Sequence, residues 1–198
     1  DTVYFGGGTP SKLDPSAIAQ LLRRFRGDRP VASNVEITLE ANPDDVTQSS
    51  AAAWAAAGVN RVSLGSQSFE PRVLEWMHRT HDAGQIGQAV RVLRGEGVQD
   101  LSLDLIYALP AALERDWSAD LDRALALEPA HLSLYGLTIE PHTPLGKWTA
   151  RGESVIAEDD RAATEYLAAH QRLEAAGFEH YEVSNAGLPG RRARHNAA

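Results

Sequence analysis

Val35-Glu36-Ile37-Thr38-Leu39-Glu40 alternates aliphatic and polar side chains at every step. A period of 2 is that of an extended strand, whose successive side chains point to opposite faces. The same alternation returns at Val62 and Leu64 among Arg61, Ser63, Gly65 and Gln67. It returns again at Leu101, Leu103 and Leu105 between Ser102 and Asp104, and at Leu132 and Leu134 among His131, Ser133 and Tyr135. A parallel strand covered by helices on both faces is apolar throughout. Here one face alone is apolar, so the aliphatic side is expected against helices and the polar side on the other surface of the sheet. In a curved, barrel-like sheet that surface is the interior. An interior of Glu, Arg, Ser, Gln and Asp is poor as a dry core, because each polar group needs a buried partner. It suits a barrel that surrounds a polar ligand and water, and it argues against a closed barrel packed with Val and Ile.

Outward from that run, strand-like segments fall near 2–5, 35–39, 60–66, 101–107, 131–137 and 179–184. Helical stretches fall near 14–26, 47–57, 82–95, 114–127 and 158–176. Asp14-Pro15 reads as an N-cap followed by proline at the first helical position, and Gly58, Gly97 and Gly177 sit just past helix ends. The stretch after 137 carries Pro141, Pro144 and Gly146 and reads as a loop before its helix. Strand and helix alternating through short links predict an α/β fold with a parallel sheet.

The first strand ends in Tyr4-Phe5-Gly6-Gly7-Gly8-Thr9-Pro10. Glycines at the carboxyl end of a strand leave bare backbone where a ligand can come close, although a tight strand-to-helix turn would use them too. Glu40, Gln67 and Asp104 lie at or near the carboxyl ends of their strands, where parallel α/β folds hold their sites. Singly, each reads first as a buried hydrogen-bonded residue or an N-cap, and Arg79 as a solvated cation. Together, the carboxylates suit a cationic amine or ribose hydroxyls, and the Arg79 guanidinium suits a carboxylate.

With a net charge of −8, nucleic acid is not the expected partner. No apolar run approaches a membrane span, and no signal peptide is visible. The absence of cysteine removes disulfides and thiolate metal sites from these 198 residues. The 7 His residues show no HxxxH or HExxH spacing.

The motifs, in order, identify a resemblance. Tyr4–Ser11, Leu39–Pro43, Gly58–Phe69 and Asp104–Pro110 resemble the radical S-adenosylmethionine superfamily, in its branch of oxygen-independent coproporphyrinogen III oxidase-like proteins. Leu137–Pro144, Tyr181–Asn185 and His195-Asn196 resemble the haem chaperone subgroup of that branch. The resemblance implies a partial (β/α)6 TIM-like barrel holding S-adenosylmethionine against a [4Fe–4S] cluster. It implies that Gly7, Gly8 and Thr9 contact the methionine part of the ligand. Glu40, Gln67, Arg79 and Asp104 would make further contacts, and Thr138 would lie near the adenine. It implies a cytoplasmic protein that binds haem and delivers it to apo-proteins, possible as a homodimer. The alternative is oxidative decarboxylation of coproporphyrinogen III. A third reading, a barrel enzyme for a phosphorylated metabolite, wants a basic phosphate site near the late strands, and none is visible. No haem ligand is identified, with His142, His180 and His195 as candidates.

The departures set further expectations. The family's CxxxCxxC cluster loop and first strand are missing, and the subgroup's HNxxYW motif stops at His195-Asn196-Ala197-Ala198. Residues 1–198 are therefore expected to be one incomplete barrel domain, without the C-terminal domain of the family. The strand at 2–5 is expected to leave an exposed edge, which a neighbouring molecule covers or which loses order.

Overall fold

The computed structural model describes residues 1–28, 31–152 and 159–197. In chain order it has β1 (Thr2–Phe5), α1 (Pro15–Asp28), β2 (Glu36–Ala41), α2 (Gln48–Ala57), β3 (Arg61–Gln67), α3 (Pro71–Trp76) and α4 (Ala83–Gly95). There follow β4 (Asp100–Tyr107), α5 (Trp117–Ala126), β5 (His131–Gly136), α6 (Pro144–Ala150), α7 (Asp159–Ala175), β6 (Glu179–His180) and β7 (Asn185–Gly187). Local chemistry fixes the helix starts. Asp14 Oδ1 accepts the Ser16 N–H at 2.8 Å, with Pro15 opening α1. Thr47 and Asp82 form capping boxes at α2 and α4. Gly58, Gly97 and Gly177 end their helices at φ of 102°, 95° and 84°.

The sheet runs β1-β2-β3-β4-β5-β7-β6. β1 to β5 are parallel neighbours in sequence order, which is the wall of a partial TIM-like barrel. The parity reading holds. Ile37, Leu39, Val62, Leu64, Leu101, Leu103, Leu132 and Leu134 are buried in one core with Ile18, Leu22, Trp54, Ile86, Leu93 and Leu121 from the helices.

The polar face divides in two. Its lower half is closed by hydrogen bonds: the Arg61 guanidinium meets Asp100 at 2.7 Å, and Ser102 Oγ meets His131 Nδ1 at 2.8 Å. His131 Nε2 meets the Tyr181 hydroxyl at 2.7 Å, and that hydroxyl accepts the Ala193 N–H at 3.2 Å. These buried polar groups therefore find partners in one another, and the upper half opens into a cavity.

Two expectations need correction. The run 179–184 is no sixth parallel strand. β6 and β7 form a small hairpin, with β7 antiparallel to β5 and inserted between β5 and β6. Residues 181–184 have little to bury on a sheet face, since Val183 is 72% exposed and Tyr181 turns inward to His131. Nor is the segment after residue 137 all loop. Thr143 caps α6 by accepting the Gly146 N–H at 3.1 Å. α3 was also unforeseen, and α5 begins only after a 3-10 turn at Ala111–Leu113. Position 158, the expected start of the last helix, lies outside the described residues.

β1 pairs with β2 and stands at the sheet edge. Its Tyr4 ring is covered by the chain itself: His195, in the closing 3-10 turn Arg194–Ala197, stacks on it with centroids 4.3 Å apart.

Candidate functional site

A cavity of about 290 Å³ opens at the carboxyl ends of β1 to β5. Gly8, Thr9, Glu40, Asn42, Ser63, Gln67, Arg79, Asp104 and Tyr135 line it. Glu40 is held from β1: Tyr4 donates its hydroxyl hydrogen to Oε1 at 2.7 Å, and the Gly7 N–H donates to Oε2 at 3.1 Å. Gly7 and Gly8 take φ of 80° and 65°, in the left-handed region. Gly6 is needed for another reason. A Cβ there would come within 2.5 Å of the Tyr4 ring.

Asp104 accepts the Ser63 hydroxyl at 2.8 Å. Burial pushes its carboxyl up to about 6 and the Glu40 charge adds to this, against hydrogen bonds from Ser63 and Ser133. Burial likewise raises Tyr4, helped by Glu40, and raises Tyr135, helped by Asp104. Both phenols therefore stay protonated as donors. Arg79 is delivered by the turn that ends α3, where His78 takes φ 53° and the Arg79 N–H donates to Leu74 O at 2.9 Å. Desolvation lowers the guanidinium, and Asp44 opposes it. Arg79 is half-buried and also lines an adjoining apolar cavity of about 260 Å³, walled by Trp76, Met77, His78, Ile106, Leu137, Leu145 and Trp148.

Of the residues singled out from sequence, Gly8, Thr9, Glu40, Gln67, Arg79 and Asp104 meet around one cavity, with Gly7 behind Glu40. Thr138 is not brought in; it is exposed and outside the lining. Tyr4, Asn42, Ser63 and Tyr135 were missed as site residues. Ser63 and Tyr135 lie on the polar parity that selected the others, so that signal was in the sequence. Tyr4 was not marked, because its bond to Glu40 crosses strands. Of the histidines weighed for haem, His195 stacks on Tyr4, His180 stacks on His170 with centroids 3.3 Å apart, and His142 is exposed in a turn. Among the described residues no cluster of His, Asp or Glu is placed to hold a metal ion.

The Radical SAM superfamily model matches residues 1–124. A heme chaperone, HemW, from Synechocystis is 38% identical over 195 residues, covering 98% of this chain and 47% of its own length. The heme chaperone HemW of Escherichia coli is also 38% identical, covering 98% of this chain and 50% of its own length. The chain thus spans about half the length of the curated relatives it matches. The solved coproporphyrinogen III oxidase (HemN) of Escherichia coli, a radical SAM enzyme, superposes with a TM-score of 0.81 at 23% identity over 95% of this chain and 43% of its own. That likeness is one of fold. A parallel half-barrel, a glycine turn beside Glu40 and the match over residues 1–124 lead to one assignment: the chain belongs to the radical SAM superfamily.

Proposed function

We propose that this chain is the S-adenosylmethionine-binding barrel of a cytoplasmic protein that binds haem and delivers it to apo-proteins. The observation that carries the haem reading is the identity to heme chaperones along nearly the whole chain, 38% over 195 residues. The cavity supports the ligand. Its two carboxylates against one guanidinium leave an excess negative charge, which complements a sulfonium compound that carries an ammonium and a carboxylate. Arg79 suits the carboxylate as a planar fork, and Glu40 and Asp104 suit the ammonium and the ribose hydroxyls. The bare Gly7–Gly8 backbone lets the methionine part approach closely. Thr138, exposed beyond β5, stays a candidate for the adenine end only if the ligand reaches out of the cavity.

With no cysteine, these residues do not fit a [4Fe–4S] cluster. In this reading the cluster belongs to a longer protein, of which 1–198 is an incomplete barrel domain followed by a further domain. Bound together, cluster and S-adenosylmethionine supply reductive radical chemistry. The barrel's part is to orient the ligand. Among the described residues no helix is long and apolar enough to cross a membrane.

The test is on the whole protein, reconstituted anaerobically with iron and sulfide. Haem is added while the absorption spectrum is followed, and coproporphyrinogen III is offered in parallel. Stable haem binding without protoporphyrinogen is the expected result. Decarboxylation would move the assignment to the oxidase.

A further inference from the structure

Two strand ends beside the cavity have backbones that ordinary side chains avoid. At the end of β3 the pairing with β4 shifts register between Leu64 and Gln67. The Ser68 N–H there donates to Ser66 O at 2.8 Å across Gln67, whose φ is 65°. A three-residue turn of that hand is rare and strained. At the end of β4, Ala108 has φ 59°. Gln67 faces the polar cavity and Ile106 the apolar one, so both ends shape the site.

Each end is held from the helical side by a buried carboxylate. Asp120 on α5 accepts the Ser68 hydroxyl at 2.6 Å and the Phe69 N–H at 2.8 Å. Glu165 on α7 accepts the Ala108 N–H at 2.8 Å. One guanidinium joins them. Arg115, with a fully buried side chain, reaches Glu165 at 2.8 Å and Asp120 at 3.6 Å, and donates to Ile106 O at 3.0 Å. Arg161 meets Glu165 at 3.0 Å and completes two cations against two anions. A buried ion cluster of this kind is weak evidence for stability, since apolar packing would do as well. What apolar side chains could not do is accept three N–H and O–H donors at two strained turns.

We propose that Arg115, Asp120 and Glu165 are positioning residues for the polar cavity, tying the ends of β3 and β4 together so that Gln67 is held facing the ligand, with Ile106 on the wall of the apolar cavity beside it. This rests on the reading of that cavity as the S-adenosylmethionine site. Such residues act through the backbone and touch no ligand.

The test uses the whole protein with its cluster reconstituted, S-adenosylmethionine as probe, and two readouts: dissociation constant and melting temperature. Arg115→Lys keeps the charge and loses the fork. Glu165→Gln keeps the shape and loses the charge. Ser68→Ala removes one hydroxyl and leaves all four charges, so it reports even if the other two fail to fold. Ile18→Val, buried on α1 and outside the clamp and the cavity lining, is the stability control. The expected result is about tenfold weaker binding in the clamp variants, with wild-type affinity in Ile18→Val despite its lowered melting temperature. Wild-type affinity in folded clamp variants, or an equal loss in Ile18→Val, would overturn the proposal. If the wild-type protein itself fails to bind, the reading of the cavity falls and the clamp's role falls with it.

Discussion

Asp104 is at once a site carboxylate and a cost to the fold. Its carboxyl rises from 3.8 to about 6. The folded state therefore holds a proton that the unfolded chain has released between those values. The contribution to stability is full below 3.8 and is lost as pH rises through 6. Asp104→Asn should then stabilise the chain at about pH 7.5 by about 1–2 kcal/mol, less than full linkage because the residue lines an open cavity and is only partly buried. The gain should vanish at about pH 3.5, and thermal unfolding at the two pH values checks it. His131 has the opposite slope. Burial lowers it from 6.5 to about 3, so its stability is full above 6.5 and lost as pH falls toward 3. His131→Gln should flatten the acid limb of the stability curve by up to about 1.4 kcal/mol per pH unit in that window. An unchanged limb in urea titrations would show that His131 does not titrate there. Tyr4→Phe should weaken ligand binding through Glu40, which loses its 2.7 Å donor, with little change in melting temperature.

At the level of elements, the turn after β4 carries its own prediction. Relief of the left-handed Ala108 backbone outweighs the entropy a glycine adds to the unfolded chain, so Ala108→Gly should stabilise by about 0.5–1 kcal/mol. A lowered urea midpoint would mean that φ 59° is not strained there. The strands were legible in the sequence because period 2 is local, and the helix ends because Asp14, Gly58 and Gly97 act on their own backbone. α3 and α6 were not, since 6 and 7 residues are too short to show a period of 3.6. The β6–β7 hairpin was hidden because Asn185–Gly187 owes its place to β5, more than fifty residues earlier. The same division runs through the site. Glu40, Gln67 and Asp104 could be picked by parity, while the Arg115 clamp joins β3, β4, α5 and α7, which no local pattern connects.

For the whole molecule, β1 leaves one edge of the sheet unpaired among the described strands. The 198-residue chain should therefore associate in solution as concentration rises. Scattering from a concentration-independent monomer with a protected Tyr4 amide would contradict this. The same chain, lacking cysteine, should bind S-adenosylmethionine more weakly than the whole protein, and micromolar affinity by calorimetry would contradict that. The central claim is that one cavity, formed where five strand ends meet, holds S-adenosylmethionine. The most direct measurement is its dissociation constant for the whole, cluster-loaded protein beside Arg79→Met and Asp104→Asn, with melting temperatures taken in parallel. The account predicts losses of about tenfold or more in both variants while they stay folded, Asp104→Asn even gaining stability. Wild-type affinity in both folded variants would contradict it.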